Sequence, residues 1–128
     1  MAITSLLYPD VGLFLLRFAV AAIFLYHAYP KLTQSAMMAK GMGWPSWKVV
    51  LLGIVELVGS LSILIGIRAQ IGAILLGAVM LGALYFKTSV WKIPFTGQNI
   101  NGWEFDMLLL AANLAIIFTG AGAIAMMP

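Results

Sequence analysis

Cysteine is absent from this chain of 128 residues, and histidine occurs once, as His27. Without cysteine the chain cannot form disulfides, thiolate metal sites, Cys-ligated iron–sulfur clusters or a dithiol redox centre. A single histidine also excludes a metal site of several histidines and a bis-histidine haem within one chain, leaving only axial ligation of a haem by His27. We therefore expect no metal site and no tightly bound cofactor.

Charge is also scarce, because 9% of the residues are charged and 63% are apolar. A soluble domain carries about 25% charged residues. Four apolar stretches approach the roughly 20 residues that a helix needs to cross a bilayer, and they cover about 11–29, 48–67, 69–86 and 103–119. The sequence predicts an all-α integral membrane protein, an up-and-down four-helix bundle forming one domain over residues 1–128.

The positive charges predict an orientation in the cell inner membrane. In this topology the long loops 30–47 and 87–102 share one side, and both termini lie on the other. The lysines all border these loops: Lys31, Lys40, Lys48, Lys87 and Lys92. The positive-inside rule places the loops in the cytoplasm and both termini outside. Orientation alone explains the lysines, so nucleic-acid binding is not implied, and the first span lacks the basic start of a cleaved signal peptide.

The two loops also carry the tryptophans, which are Trp44, Trp47, Trp91 and Trp103. Anchoring at the headgroup region would explain them, and a pocket facing lipid or a quinone is the alternative. The loops mix methionine, tryptophan, proline and glycine, which favours folded caps or short interfacial helices over a flexible linker.

Small residues mark the helix faces that can pack closely. The third span has Ala69, Ala73 and Gly77 four residues apart, and the second span has Gly53 and Gly59 on the side of Glu56. In lipid, helices associate where small residues let their backbones approach. The second and third spans, joined by a very short connection, are therefore predicted to be antiparallel neighbours, with Glu56 pointing into the bundle.

Glu56 lies near the bilayer midplane, where a charge costs at least about 2.5–3.5 kcal/mol and is a functional candidate by default. By helix rise, Glu56 and Arg17 lie roughly 15 and 9 Å from the same membrane side. Arg17 is thus predicted to pair with Glu56, either to set the register of the first two spans or to line a polar cavity that binds a ligand or relays a proton. Asn113 of the fourth span lies at a similar depth and could join them.

A second polar group is predicted near the cytoplasmic end. His27 closes the first span and Asp106 opens the fourth, and an up-and-down bundle places these spans side by side. Histidine beside a carboxylate can transfer protons near neutral pH. Glu104 follows Asn101 by three residues, a spacing typical of a helix N-cap. Capping of the fourth span is therefore the alternative to a functional role for Glu104.

The chain resembles the DoxX family of small membrane proteins. The resemblance rests on Arg17 followed by "FLYHAYPKL", then "GMGWP", "GIVELVGSLSILIG", a glycine-rich third span and "GWEFDMLLLAANLAIIFTGAG". It implies a four-helix membrane fold and, from some members, a subunit of a quinone-linked oxidoreductase such as thiosulfate:quinone oxidoreductase. The chain departs from the family near the end of the third span, where relatives carry a histidine and this chain has Tyr85 and Lys87.

We accordingly predict a membrane subunit of a quinone-linked redox system, with the quinone headgroup between the first and fourth spans. His27 would donate a hydrogen bond to the quinone, and Asp106 or Glu104 would orient the quinone and pass protons. Tyr26 or Trp103 would pack against the quinone ring. The alternative is a non-enzymatic membrane anchor or assembly partner for a soluble oxidoreductase. A small-solute transporter is favoured less, because no inverted repeat is visible. A redox partner protein and an oligomer are both compatible with the sequence.

Overall fold

A computed structural model describes residues 9–97 and 101–126, and all the regular secondary structure in these ranges is helical. The α-helices are α1 (Pro9–Thr33), α2 (Ser35–Met42), α3 (Ser46–Ile65), α4 (Ala69–Tyr85) and α5 (Trp103–Thr119). A π-helical turn, Phe86–Val90, extends α4. The all-α class is confirmed. Among the described residues, three helical segments are long and apolar enough to cross a bilayer, namely Pro9–Thr33, Ser46–Ile65 and Ala69–Val90, which indicates a membrane protein.

Helix α1 runs past the predicted end of the first span. Pro30 lies inside it, and the helix continues to Thr33. Proline removes one N–H and usually kinks or ends a helix, but the Gln34 amide still bonds to the Pro30 carbonyl at 2.7 Å. The extra turn places Lys31 on the helix rather than in a loop, which determines its partner.

The first lysine-rich loop contains the short helix α2, and the described part of the second begins with the π-helical turn. In the first loop, α2 ends at Gly43, whose φ of 74° is the left-handed conformation that glycine adopts without strain. In the second, the π-helical turn is closed by the Trp91 amide bonding to the Phe86 carbonyl at 2.7 Å. This turn carries Lys87 back toward the bundle.

Helices α3 and α4 pack antiparallel through small residues, as predicted. Gly59 is buried against Leu76, and a Cβ added at Gly59 would lie 2.9 Å from that side chain. A Cβ at Gly72 would lie 2.8 Å from the Gly59 carbonyl oxygen. Gly53 faces α1 instead, where an added Cβ would lie 2.9 Å from Lys31 Cβ. Any side chain at Gly59 or Gly72 would therefore separate these two helices.

The helices surround a space at the lysine-rich end. Helix α1 packs mainly on α3, and α5 mainly on α4, whereas α1 and α5 touch only sparsely. The first and fourth spans lie side by side, as predicted, in a limited contact that includes the His27 ring against Phe105 of α5. Helix α5 covers Trp103–Thr119, as predicted, but its N-cap is Gly102 with no side-chain cap, so Asn101 does not cap it.

Candidate functional site

A cavity of about 820 Å³ opens between the helices at the lysine-rich end. Most of its wall is apolar. Its aromatic lining residues are Phe24, Trp44, Trp47, Phe86, Trp91 and Phe105. Its polar lining residues are His27, Lys31, Lys48, Glu56, Lys87, Asn101 and Asp106. Ligand pockets typically have such volumes and combine apolar walls with a few polar groups.

Glu56 forms an ion pair with Lys31 inside this cavity. Lys31 Nζ lies 3.0 Å from one carboxylate oxygen of Glu56 and 3.1 Å from the other, and it also reaches the His27 carbonyl oxygen at 3.3 Å. The Glu56 side chain is 3% exposed and that of Lys31 is 12% exposed. The cation thus contacts both oxygens of a carboxylate held at the boundary of α1 and α3.

The predicted Arg17–Glu56 pair is therefore wrong. The buried Arg17 guanidinium donates to backbone carbonyls at the opposite end of the bundle. Its acceptors are Ile63 O at 2.8 Å, Leu64 O at 3.1 Å, Ala121 O at 3.0 Å and Ile124 O at 2.5 Å. The last carbonyls of a helix lack intrahelical partners and carry partial negative charge, so α3 itself attracts the cation. Ile63 is seven residues from Glu56, roughly 10 Å along the helix.

Arg17 thereby fixes the segment that follows α5 across the end of α3. The Met126 amide bonds to the Ile65 carbonyl at 3.2 Å, and the Ala123 amide donates to Asp10 Oδ1 at 2.9 Å. A Cβ at Gly66 would lie 2.7 Å from the guanidinium. This end of the bundle is closed by backbone contacts, whereas the cavity opens at the other.

Asp106 has a lysine partner of its own. Lys87 Nζ lies 2.7 Å from Asp106 Oδ2 and donates to the Asn101 carbonyl at 3.2 Å. Asp106 is buried at the start of α5, and Lys87 reaches it from the π-helical turn. His27 lines the same cavity as Asp106, as predicted, but the cation next to that carboxylate is Lys87.

His27 lies at the junction of two hollows. Its ring packs edge-on to Tyr26, at 5.7 Å between centroids, and tilted against Phe105 at 5.6 Å. His27, Asn101 and Phe105 line both the main cavity and a smaller groove of about 360 Å³ between α1 and α5. The imidazole is thus accessible to a ligand in the main cavity.

Five predicted site residues lie outside the main cavity: Arg17, Asn113, Tyr26, Trp103 and Glu104. Tyr26 is 77% exposed and borders only the smaller groove. Trp103 packs edge-on to Phe95 at 4.5 Å between centroids. Glu104 accepts a hydrogen bond from Thr96 Oγ1 at 3.1 Å. The latter two contacts join the start of α5 to the second loop, so these side chains organise the loop beside the cavity.

Asn113 is fully buried but meets neither ion pair. Its amide donates to the Leu109 carbonyl one turn earlier at 2.8 Å, while its side-chain oxygen has no hydrogen-bond partner. Asn113 therefore shares no hydrogen bond with Arg17 or Glu56.

Sequence reasoning missed Lys31 and Lys87 as site residues, since both were assigned to loops and to membrane orientation. One signal was available for Lys31, which lies four residues after His27 and so on the same face if the helix continues. Nothing local signals the π-helical turn that positions Lys87. Within the described residues, no cluster of three or more histidine, aspartate or glutamate side chains could hold a metal ion.

Two bacterial proteins are similar to this chain over most of its length. The chain is 28% identical over 93% of its length, and 87% of the relative's, to a Bacillus subtilis (strain 168) protein named "Putative oxidoreductase CatD". It is 30% identical over 93% of its length to an uncharacterised protein of Haemophilus influenzae, covering 90% of that chain. No solved structure matches. The DoxX family model matches residues 12–89, and the chain belongs to the DoxX family.

Proposed function

We propose that this protein is an integral membrane subunit of a quinone-linked redox system and that its cavity binds the quinone headgroup. One observation carries the proposal: an apolar cavity of about 820 Å³ has His27 and two lysine–carboxylate pairs on its wall. The name of the Bacillus subtilis relative, which describes an oxidoreductase, supports the same class of function.

The charge balance of the cavity favours a neutral ligand. Lys31 is matched by Glu56 and Lys87 by Asp106, so the buried part of the site is polar without a large net charge. A quinone ring is apolar on its faces and carries two carbonyl oxygens that accept hydrogen bonds. His27 and the lysine ammonium groups are donors at the cavity wall, and Phe24 and Phe105 supply apolar contact for the ring.

In this proposal His27 donates to a quinone oxygen, and Asp106 and Glu56 pass protons through their lysine partners. The sequence contains no cysteine and one histidine, so it has no ligand set for an iron–sulfur cluster. Electrons would accordingly come from a redox partner protein. Glu104, Trp103 and Tyr26 would act from outside the cavity, by holding the second loop and the rim of the smaller groove.

The membrane arrangement is part of the proposal. Helix α5 has 17 residues, the lower limit for a span, and we take it as the fourth crossing of an up-and-down bundle. The lysine-rich end, with the cavity, would face the cytoplasm, and both termini would lie outside the inner membrane. Labelling a single cysteine introduced at Lys40 from either side of intact cells tests this orientation.

Quinone binding can be measured through tryptophan fluorescence, because three of the four tryptophans line the cavity. Purified protein would be titrated with the decyl derivative of dimethoxy-methylbenzoquinone. We expect saturable quenching of the tryptophan fluorescence. Removal of one hydrogen bond in His27→Ala should raise the Kd by about two- to tenfold. Lys87→Met tests the second pair, and Lys40→Met, an exposed lysine of α2 away from the cavity, is the matched control. Quenching that never saturates, or equal Kd values for wild type and His27→Ala, would reject the proposal.

A non-enzymatic anchor for a redox enzyme is the second candidate. It is favoured by the exposure of Met37 and Trp47, at 71% and 63%, on the lysine-rich end. Trp44 and Trp91, by contrast, pack against Phe86 with centroids 5.1 and 5.4 Å away, so these two rings do not form an outer surface. If Met37→Glu abolishes the host pathway while His27→Ala leaves it intact, anchoring is the better description.

A further inference from the structure

The cavity reaches the surface of the protein between α3 and α4. Leu51, Leu75, Ala78 and Gly82 line the cavity, and all four are exposed residues. The two helices are tightly packed at Gly59 and Gly72. Toward the lysine-rich end, therefore, they leave a cleft between Leu51 on α3 and the small residues of α4.

The four residues that line this cleft are apolar. Among the polar lining residues of the cavity, Lys48 and Glu56 lie on α3 and the other five come from elsewhere. His27 and Lys31 come from α1, Lys87 from the π-helical turn and Asp106 from α5. A ligand that places a polar ring against these groups therefore has its remaining part directed to the cleft between α3 and α4. That part would pass through an apolar opening into the surrounding acyl chains.

We propose that the cleft between α3 and α4 is the tail subsite of the cavity, through which the isoprenoid or alkyl chain of a lipophilic quinone extends into the bilayer. This inference rests on the proposed function and adds the route by which the ligand enters and leaves. Ala78 and Gly82 set the width of the subsite. At Gly82 an added Cβ would meet nothing within 4 Å, so the space beside this glycine is open in the folded protein.

Gly82→Leu adds a side chain at a position where the new Cβ meets no atom within 4 Å, and leucine is a better helix former than glycine. The matched control is Gly12→Leu, since Gly12 is also helical, exposed and without atoms within 4 Å of an added Cβ, but lies in α1 away from the cavity. Ala78→Leu provides a second obstruction one turn away. Thermal unfolding of each variant checks that the fold is retained.

The assay compares two probes with the same headgroup, dimethoxy-methylbenzoquinone with a decyl chain and the same ring without it. Forcing a chain past an overpacked site is costly, so Gly82→Leu should weaken binding of the decyl compound by about tenfold or more. Binding of the tail-free ring should change less than about twofold, because it needs no exit through the cleft. Gly12→Leu should bind both probes with the same Kd as the wild-type protein.

The outcomes separate the two proposals. If wild type binds neither probe, the proposed function fails. If wild type binds both and Gly82→Leu weakens both equally or neither, the cavity binds quinone but the tail subsite is wrong. A selective loss of the decyl compound, reproduced by Ala78→Leu, establishes the subsite.

Discussion

The Lys31–Glu56 pair makes a quantitative prediction about stability. Lys31→Met removes the cation that contacts both Glu56 oxygens at 3.0 and 3.1 Å, while methionine keeps the length of the aliphatic chain. Breaking a buried pair by removing one partner costs about 3–5 kcal/mol, because the other charge is left without compensation. Glu56 is 3% exposed but Lys31 is 12% exposed, so we expect the lower end, about 3 kcal/mol.

Removing the charge of Glu56 should lower the free energy of unfolding by less than removing the charge of Lys31. In Glu56→Gln the lysine keeps a hydrogen-bond acceptor, and its long chain can extend toward the headgroup region. We expect a loss of about 1–2 kcal/mol in the free energy of unfolding. The double variant Lys31→Met with Glu56→Met leaves no unpaired charge and should lie within about 1 kcal/mol of wild type, since replacing a buried pair by apolar residues is often neutral.

The assay is reversible unfolding in mixed micelles, titrated with a denaturing detergent and followed by tryptophan fluorescence. The double-mutant cycle, completed with Glu56→Met, gives the coupling energy, expected to be at least about 3 kcal/mol. Lys40→Met is the control, because Lys40 is exposed and should change stability by less than about 0.5 kcal/mol. Additive effects of the two single changes, or a Lys31→Met variant as stable as wild type, would refute the assignment of this pair.

Three further predictions follow from the packing. Arg17→Met leaves the carbonyls of α3 and of the segment after α5 without their donor, so it should lower the free energy of unfolding by at least about 3 kcal/mol and expose residues after Gly120 to limited proteolysis. The charge swap Arg17→Glu with Glu56→Arg should fail to restore the melting temperature lost in either single variant, since the two side chains do not meet. Gly59→Leu should prevent α3 from packing on α4 and lower the yield of monodisperse protein in gel filtration, as its Cβ alone would lie 2.9 Å from Leu76.

The burial of the polar residues could be predicted from the local sequence, but their partners could not. Glu56, Asp106 and Asn113 lie within apolar runs, so the prediction that they point inward follows from the cost of a polar group in lipid, and all three are buried. Their partners do not follow from the same argument. Arg17 was the intramembrane cation nearest in depth to Glu56, yet the free carbonyls at the end of α3 compete for it and are closer.

The class of the protein can be predicted from its composition. Its apolar stretches and lack of charge require a lipid environment for helices, and its small residues specify the close contact of α3 with α4, because both properties depend on composition and helical spacing alone. The pairing of the charges, by contrast, is visible only in the folded chain. The continuation of α1 through Pro30 and the π-helical turn after α4 bring Lys31 and Lys87 to their carboxylates. Such pairings depend on where each helix ends and how it is rotated, and those are set by contacts between residues distant in the chain.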